Sequence, residues 1–183
     1  MNKLFKTLSL LAALAFFATA CIPSVVDVAQ AAPAEVVSYQ AVLGKSLNDR
    51  DVAEFVTSSK CAGAAQFQLC RSSGMALWTD AGQKVQSVFL YPGQSDGFIA
   101  YQGQLPFGLR FTDTMEMVEQ KLGHPVEIHA PQAGWVPRLP DEGVTPDHFH
   151  YLATYEQFGL TVIYNSPSAN DKSASIYAIL VSK

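Results

Sequence analysis

Gly74-Met75-Ala76-Leu77-Trp78-Thr79-Asp80, a turn and Lys84-Val85-Gln86-Ser87-Val88-Phe89 return later in the chain. They reappear as Gly159-Leu160-Thr161-Val162-Ile163-Tyr164-Asn165, a longer turn and Lys172-Ser173-Ala174-Ser175-Ile176-Tyr177. The offset is 85 residues from Gly74 to Gly159 and 88 from Lys84 to Lys172, which puts three extra residues in the second turn. Each hairpin follows a short amphipathic helix pattern, so the repeating unit reads as a helix plus three antiparallel strands. Two such units in tandem, about 44–91 and 105–182, predict an α+β domain with one continuous curved sheet and helices on one face. That architecture suits holding a partner better than chemistry.

In the first unit Val52, Phe55 and Val56 fall at i, i+3 and i+4, which predicts a helix over about 49–58 with Asn48 as its N-cap. Strands follow over 65–70, 74–79 and 84–91, separated by turn-rich stretches. The second unit opens with a short approach strand near 98–101. Its helix carries Met115, Val118 and Leu122 on one face, has Asp113 and Glu116 in capping-box spacing, and stops at Gly123 before Pro125. Strands are expected over 147–157, 159–165 and 173–182. The segment 125–146 has no sustained period and reads as a long loop carrying Trp135 and Arg138.

Alternation along the strands sorts their side chains into two faces. Met75, Leu77, Val88, Leu90, Leu160, Val162, Tyr164, Ile176, Ala178 and Leu180 are expected to meet the helices. The opposite face then shows Trp78, Phe89, Tyr91, Ile163, Tyr177 and Ile179 among polar residues. Exposed aromatics interleaved with polar groups are the composition of a partner-binding face. Trp78, Phe89, Tyr91, Trp135, Arg138 and Tyr177 are the expected contact residues. The bland alternative is that the aromatics are covered by the 125–146 loop or the N-terminal segment.

The N-terminus reads as an export signal, with Lys3 and Lys6 ahead of an apolar run from Leu8 to Ala20 too short to span a bilayer. Residues 1–20 are therefore set apart as signal and 21–40 as a flexible linker, leaving 41–183 as a single domain. Ala18-Thr19-Ala20-Cys21 is a passable lipobox, whereas Ala29-Gln30-Ala31 fits ordinary signal cleavage. Lipidation at Cys21 is the preferred reading, which places the protein in the periplasm with an outer-membrane anchor. Either cut leaves Cys61 and Cys70 as a pair, expected to form a disulfide in an oxidising compartment. Without residues 1–20 the chain has 10 basic against 16 acidic side chains. That balance argues against nucleic acid and against charge-driven binding to anionic lipid.

The stretch from Leu105 through Phe107-Gly108-Leu109, Thr112-Asp113-Thr114, Val118 and Leu122-Gly123-His124-Pro125 resembles the opening motif of the BamE-like and β-lactamase-inhibitor-protein-like superfamily. The resemblance implies tandem helix-plus-meander units that grip a protein, as inhibitors or toxin-neutralising immunity proteins do. An envelope-assembly lipoprotein is the alternative role. Clear chemistry is thin: no GxSxG elbow, Ser-x-x-Lys, HExxH, phosphate loop or CxxC occurs. His148 and His150, at i and i+2 on one strand face, form the best candidate metal site but lack an identified third ligand. The reading is accordingly a non-enzymatic, cofactor-free protein that binds a protein partner, with a His148/His150 metal-binding domain as the remaining alternative.

Overall fold

Short apolar runs punctuated by Gly and Asp turns leave the chain little choice but antiparallel hairpins. A computed structural model describes residues 36–64, 66–93, 96–129, 150–166, 168 and 170–183. The strands are β1 (Ala62–Ala64), β2 (Phe67–Cys70), β3 (Met75–Thr79), β4 (Val85–Leu90), β5 (Glu127–His129), β6 (His150–Tyr155), β7 (Leu160–Asn165) and β8 (Ile176–Ser182). They form one eight-stranded sheet in the order β1-β2-β3-β4-β8-β7-β6-β5, antiparallel throughout. The protein is thus α+β with a single antiparallel sheet. Each half contributes four strands rather than three. The additional ones, β1 and β5, are three-residue edge strands, and Ala-Gly-Ala in β1 carries none of the β-branched or aromatic residues that mark a strand. The expected strand at 98–101 is absent; a single bridge joins Pro92 to Ala100.

Among the described residues three α-helices accompany the sheet: α1 (Tyr39–Val42), α2 (Arg50–Ser58) and α3 (Met115–Leu122). Asp49, not Asn48, occupies the N-cap of α2, and its carboxylate accepts the Ser46 N–H at 3.0 Å. At α3 the Thr114 hydroxyl accepts the Met117 N–H at 3.3 Å. Asp113 is unavailable as a cap because it accepts from Arg110 N at 2.8 Å and from Lys121 Nζ at 2.6 Å. Val52, Phe55, Met115, Val118 and Leu122 are buried in one cluster with Met75, Leu77, Val88, Leu90, Leu160, Val162 and Tyr164. All three helices therefore pack on the same face of the sheet. Cys61, just past α2, is disulfide-bonded to Cys70 of β2 with the Cα atoms 4.1 Å apart.

The two halves share local geometry at several points. Three-residue 3-10 turns, Arg71–Ser73 and Glu156–Phe158, end on Gly74 and Gly159, both left-handed with φ of 70° and 57°. Both following hairpins contain a register shift: Trp78 pairs with Ser87 but Thr79 with Val85, and Ile163 pairs with Ala178 but Tyr164 with Ile176. The closing turns also correspond. Asp80 Oδ1 accepts the Gly82 N–H, as Asp171 Oδ1 accepts the Ser173 N–H. The carbonyls of Asp80 and Asp171 accept from Gln83 and Ala174 in the same way.

Structural correspondence therefore runs at 85 residues up to the shift and at 91 after it, not at 88. Asp80 matches Asp171, and the two lysines do not match. An odd displacement of three inverts a strand's faces, because side chains alternate with period two. Ala178 and Leu180 accordingly lie on the face away from the helices and Ile179 on the helix face, the reverse of the alternation reading.

Both turn carboxylates titrate below the usual 3.8. The Lys84 N–H is the main cause at Asp80, and the Ser173 and Ser166 hydroxyls at Asp171. A lowered native pKa gives stability that is present above the ordinary value and lost as pH falls through the native one. The double variant Asp80→Asn/Asp171→Asn should therefore lose less of its melting temperature than wild type between pH 5 and pH 2.5. Parallel curves would exclude a role for these turns in acid sensitivity.

Candidate binding surface

The face away from the helices is built from the inward alternates of the same strands. Leu69, Ala76, Phe89, Tyr91, Leu152, Ile163, Tyr177, Ala178 and Leu180 form a second buried cluster there, with Phe98 from the 92–101 connection and Phe67 partly buried against it. Three of the expected contact residues are thus interior: Phe89 is 4 %, Tyr91 0 % and Tyr177 6 % exposed. Trp78 is the exception at 41 %. Trp135 and Arg138 lie outside the described residues, as do Cys21 and His148.

Among the described residues, aromatic stacking and two hydrogen bonds contribute to the burial. Tyr91 stacks on Phe98 with centroids 3.9 Å apart and meets Tyr177 edge-on at 6.3 Å. The Arg71 guanidinium lies 5.6 Å from the Phe98 ring centre, and its Nε donates to the Asp96 carbonyl at 2.9 Å. Tyr177 donates its hydroxyl to the Asp96 carboxylate. His150, itself buried, stacks on Tyr177 at 3.7 Å. The 96–98 stretch of the connection between the halves is thereby strapped onto the sheet. Asp96 was missed in the sequence; the Asp96-Gly97 dipeptide signals only a turn.

Trp78 sits at the outer corner of this face, paired across the strands with Phe67 and Ser87. In the other half the same backbone seats hold Ile163, Leu152 and Ala178. Ile163 is 1 % exposed and Leu152 equally buried, whereas Trp78 stands open beside a half-buried Phe67. One corner is shut and its counterpart is open. No family model, curated protein or solved structure matches the chain.

The corner has little to offer chemically beyond apolar and aromatic surface. Ser87 Oγ is engaged with Ser182 Oγ at 2.9 Å, and Gln86 Nε2 donates to Asp80 Oδ2 at 2.8 Å. Among the described residues no three His, Cys, Asp or Glu side chains gather closely enough to hold a metal ion, and His148 lies outside those residues. Under α3 the phenols of Tyr155 and Tyr164 are raised in pKa, chiefly by burial, and stay protonated at neutral pH. Also among the described residues, no helix is long and apolar enough to cross a membrane.

Proposed function

We propose that this is an exported envelope protein of two duplicated helix-plus-meander units that binds, and thereby neutralises, a partner protein. The supporting observation is the open Trp78 corner, whose counterpart in the other half is closed around Ile163. A large aromatic side chain left half in water, beside Phe67, is the residue type that supplies binding energy once a partner excludes the solvent. The matching turns, bulges and left-handed glycines favour the tandem-unit reading, and with it the inhibitor or immunity role that the superfamily resemblance implies. The acidic balance of the chain would steer a basic partner surface toward it.

Trp78→Ala tests this. With the mature protein as bait in host envelope extract, the partner captured by wild type should bind the variant more weakly by about 2 kcal/mol, roughly 30-fold. The fold should survive, because Trp78 lies outside both buried clusters. An identical dissociation constant for the two proteins would exclude this corner as the docking surface.

A further inference from the structure

On the helix side, α1 and the turn Pro106–Gly108 bound an open cleft of about 470 Å³ lined by Ser38, Tyr39, Gln40, Gln104, Leu105 and Phe107, among others. Its size lies within the range of small-molecule sites. One wall is fixed by the Tyr39 N–H, which donates to Tyr101 Oη at 3.1 Å. The other is unusual in its backbone. Phe107 has φ 55° and is followed by Gly108 at φ 67°. A left-handed phenylalanine costs about 1 kcal/mol or more and persists only where its surroundings impose it. Here Lys121 Nζ holds the Gly108 carbonyl at 3.0 Å, and the Phe107 ring leans on Phe158 with centroids 4.7 Å apart. The result of this strain is a large ring that remains 50 % exposed at the cleft.

The chemistry of the lining narrows the ligand. It has no acid, lysine, arginine or histidine; its polar groups are two primary amides, a hydroxyl and a phenol. Each glutamine amide offers donors and an acceptor in one plane, which matches neighbouring hydroxyls on a sugar ring. An exposed aromatic face takes the C–H face of a pyranose. From the strained, exposed ring and the uncharged amide lining together, we propose that this cleft is a binding site for a neutral oligosaccharide, with Phe107 as the stacking platform and Gln40 and Gln104 bonding ring hydroxyls. It lies on a different part of the molecule from the Trp78 corner and does not depend on the partner reading.

The test is titration of the full mature protein with chitotriose and with maltotriose, followed by calorimetry and by amide NMR shifts. At least one should bind with a dissociation constant of about 1 mM or tighter and shift the amides of residues 38–40 and 104–107. Phe107→Gly removes the ring while relieving the left-handed strain, so the fold is retained; Gln40→Ala/Gln104→Ala alters exposed side chains only. Both variants should weaken binding at least tenfold while still unfolding in a cooperative melt. No binding of either sugar up to about 10 mM, or unchanged affinity in either variant, overturns the proposal.

Discussion

Replacing Cys61 and Cys70 together by alanine should lower the free energy of unfolding by about 3 kcal/mol. The disulfide closes a loop of ten residues, counting both cysteines. In the chain-entropy account that closure is worth about 2.7 kcal/mol through the unfolded ensemble alone. Cys70 is fully buried, so truncation also removes contacts in the cluster beneath the helices. The bond ties the end of α2 to β2 and frames the edge strand β1, whose three residues otherwise have only a short ladder to hold them. In the second half the corresponding seats are taken by Val126 and Tyr155, and Tyr155 is fully buried. The covalent tie of the first half thus has no packed equivalent in the second, where Val126 is 64 % exposed and Tyr155 alone is buried. Urea unfolding should show the loss as a shifted midpoint with a similar slope. Hydrogen exchange should accelerate in β1 and β2 through local opening, and the slowest amides of β6 and β7 should speed up only by the global loss. A midpoint equal to that of wild type would mean that the bridge only decorates a hairpin that is stable without it.

Much of the scaffold is legible in the sequence because it rests on local rules. The i, i+3, i+4 spacing of Val52, Phe55 and Val56 places α2, and Met115, Val118 and Leu122 place α3 with its stop at Gly123. Gly74 and Gly159 mark the starts of β3 and β7, since only glycine takes a left-handed turn there without strain. What is not legible depends on the third dimension. A β-bulge adds one residue to a strand without any compositional mark, so the shifts opposite Thr79 and Tyr164 are invisible and the matching lysines mislead. Alternation separates two faces but does not say whether either is covered. Phe89, Tyr91 and Tyr177 read as a surface, yet Phe98 stacks over Tyr91 and Asp96 accepts from Tyr177, both across a connection whose sequence signals nothing but a turn. Of the six expected contact residues, Trp78 alone is described and open, and its exposure is clear only beside the buried Ile163 in the matching seat.

Gly74→Ala should be among the most damaging single substitutions in the protein, costing about 3 to 4 kcal/mol. A left-handed alanine accounts for about 1 to 2 kcal/mol of that. The rest is steric: a Cβ at Gly74 would stand 2.4 Å from the Tyr101 nitrogen and 2.7 Å from the Ile99 carbonyl oxygen. Those are backbone atoms, so no side chain can swing aside. Relief would require the 98–101 segment to lift, although Tyr101 N–H donates to the Tyr91 carbonyl at 2.9 Å and Phe98 stacks on Tyr91. Gly159→Ala meets less resistance. Its Cβ would meet one backbone atom closer than 3 Å, the Ser182 carbonyl oxygen at 2.7 Å, where Gly74 meets three. Its expected cost is about 2 kcal/mol, mostly the left-handed backbone. Denaturant melts of the two variants should therefore rank Gly74→Ala below Gly159→Ala. Near-ultraviolet circular dichroism should change in the first alone, as the Tyr91–Phe98 stack loosens. Equal, small losses would mean that the connection across the second face is held too loosely to bury Tyr91 and Tyr177. The aromatic side chains there would then become available to a partner after all, and the Trp78 corner would be only the visible rim of a larger docking face.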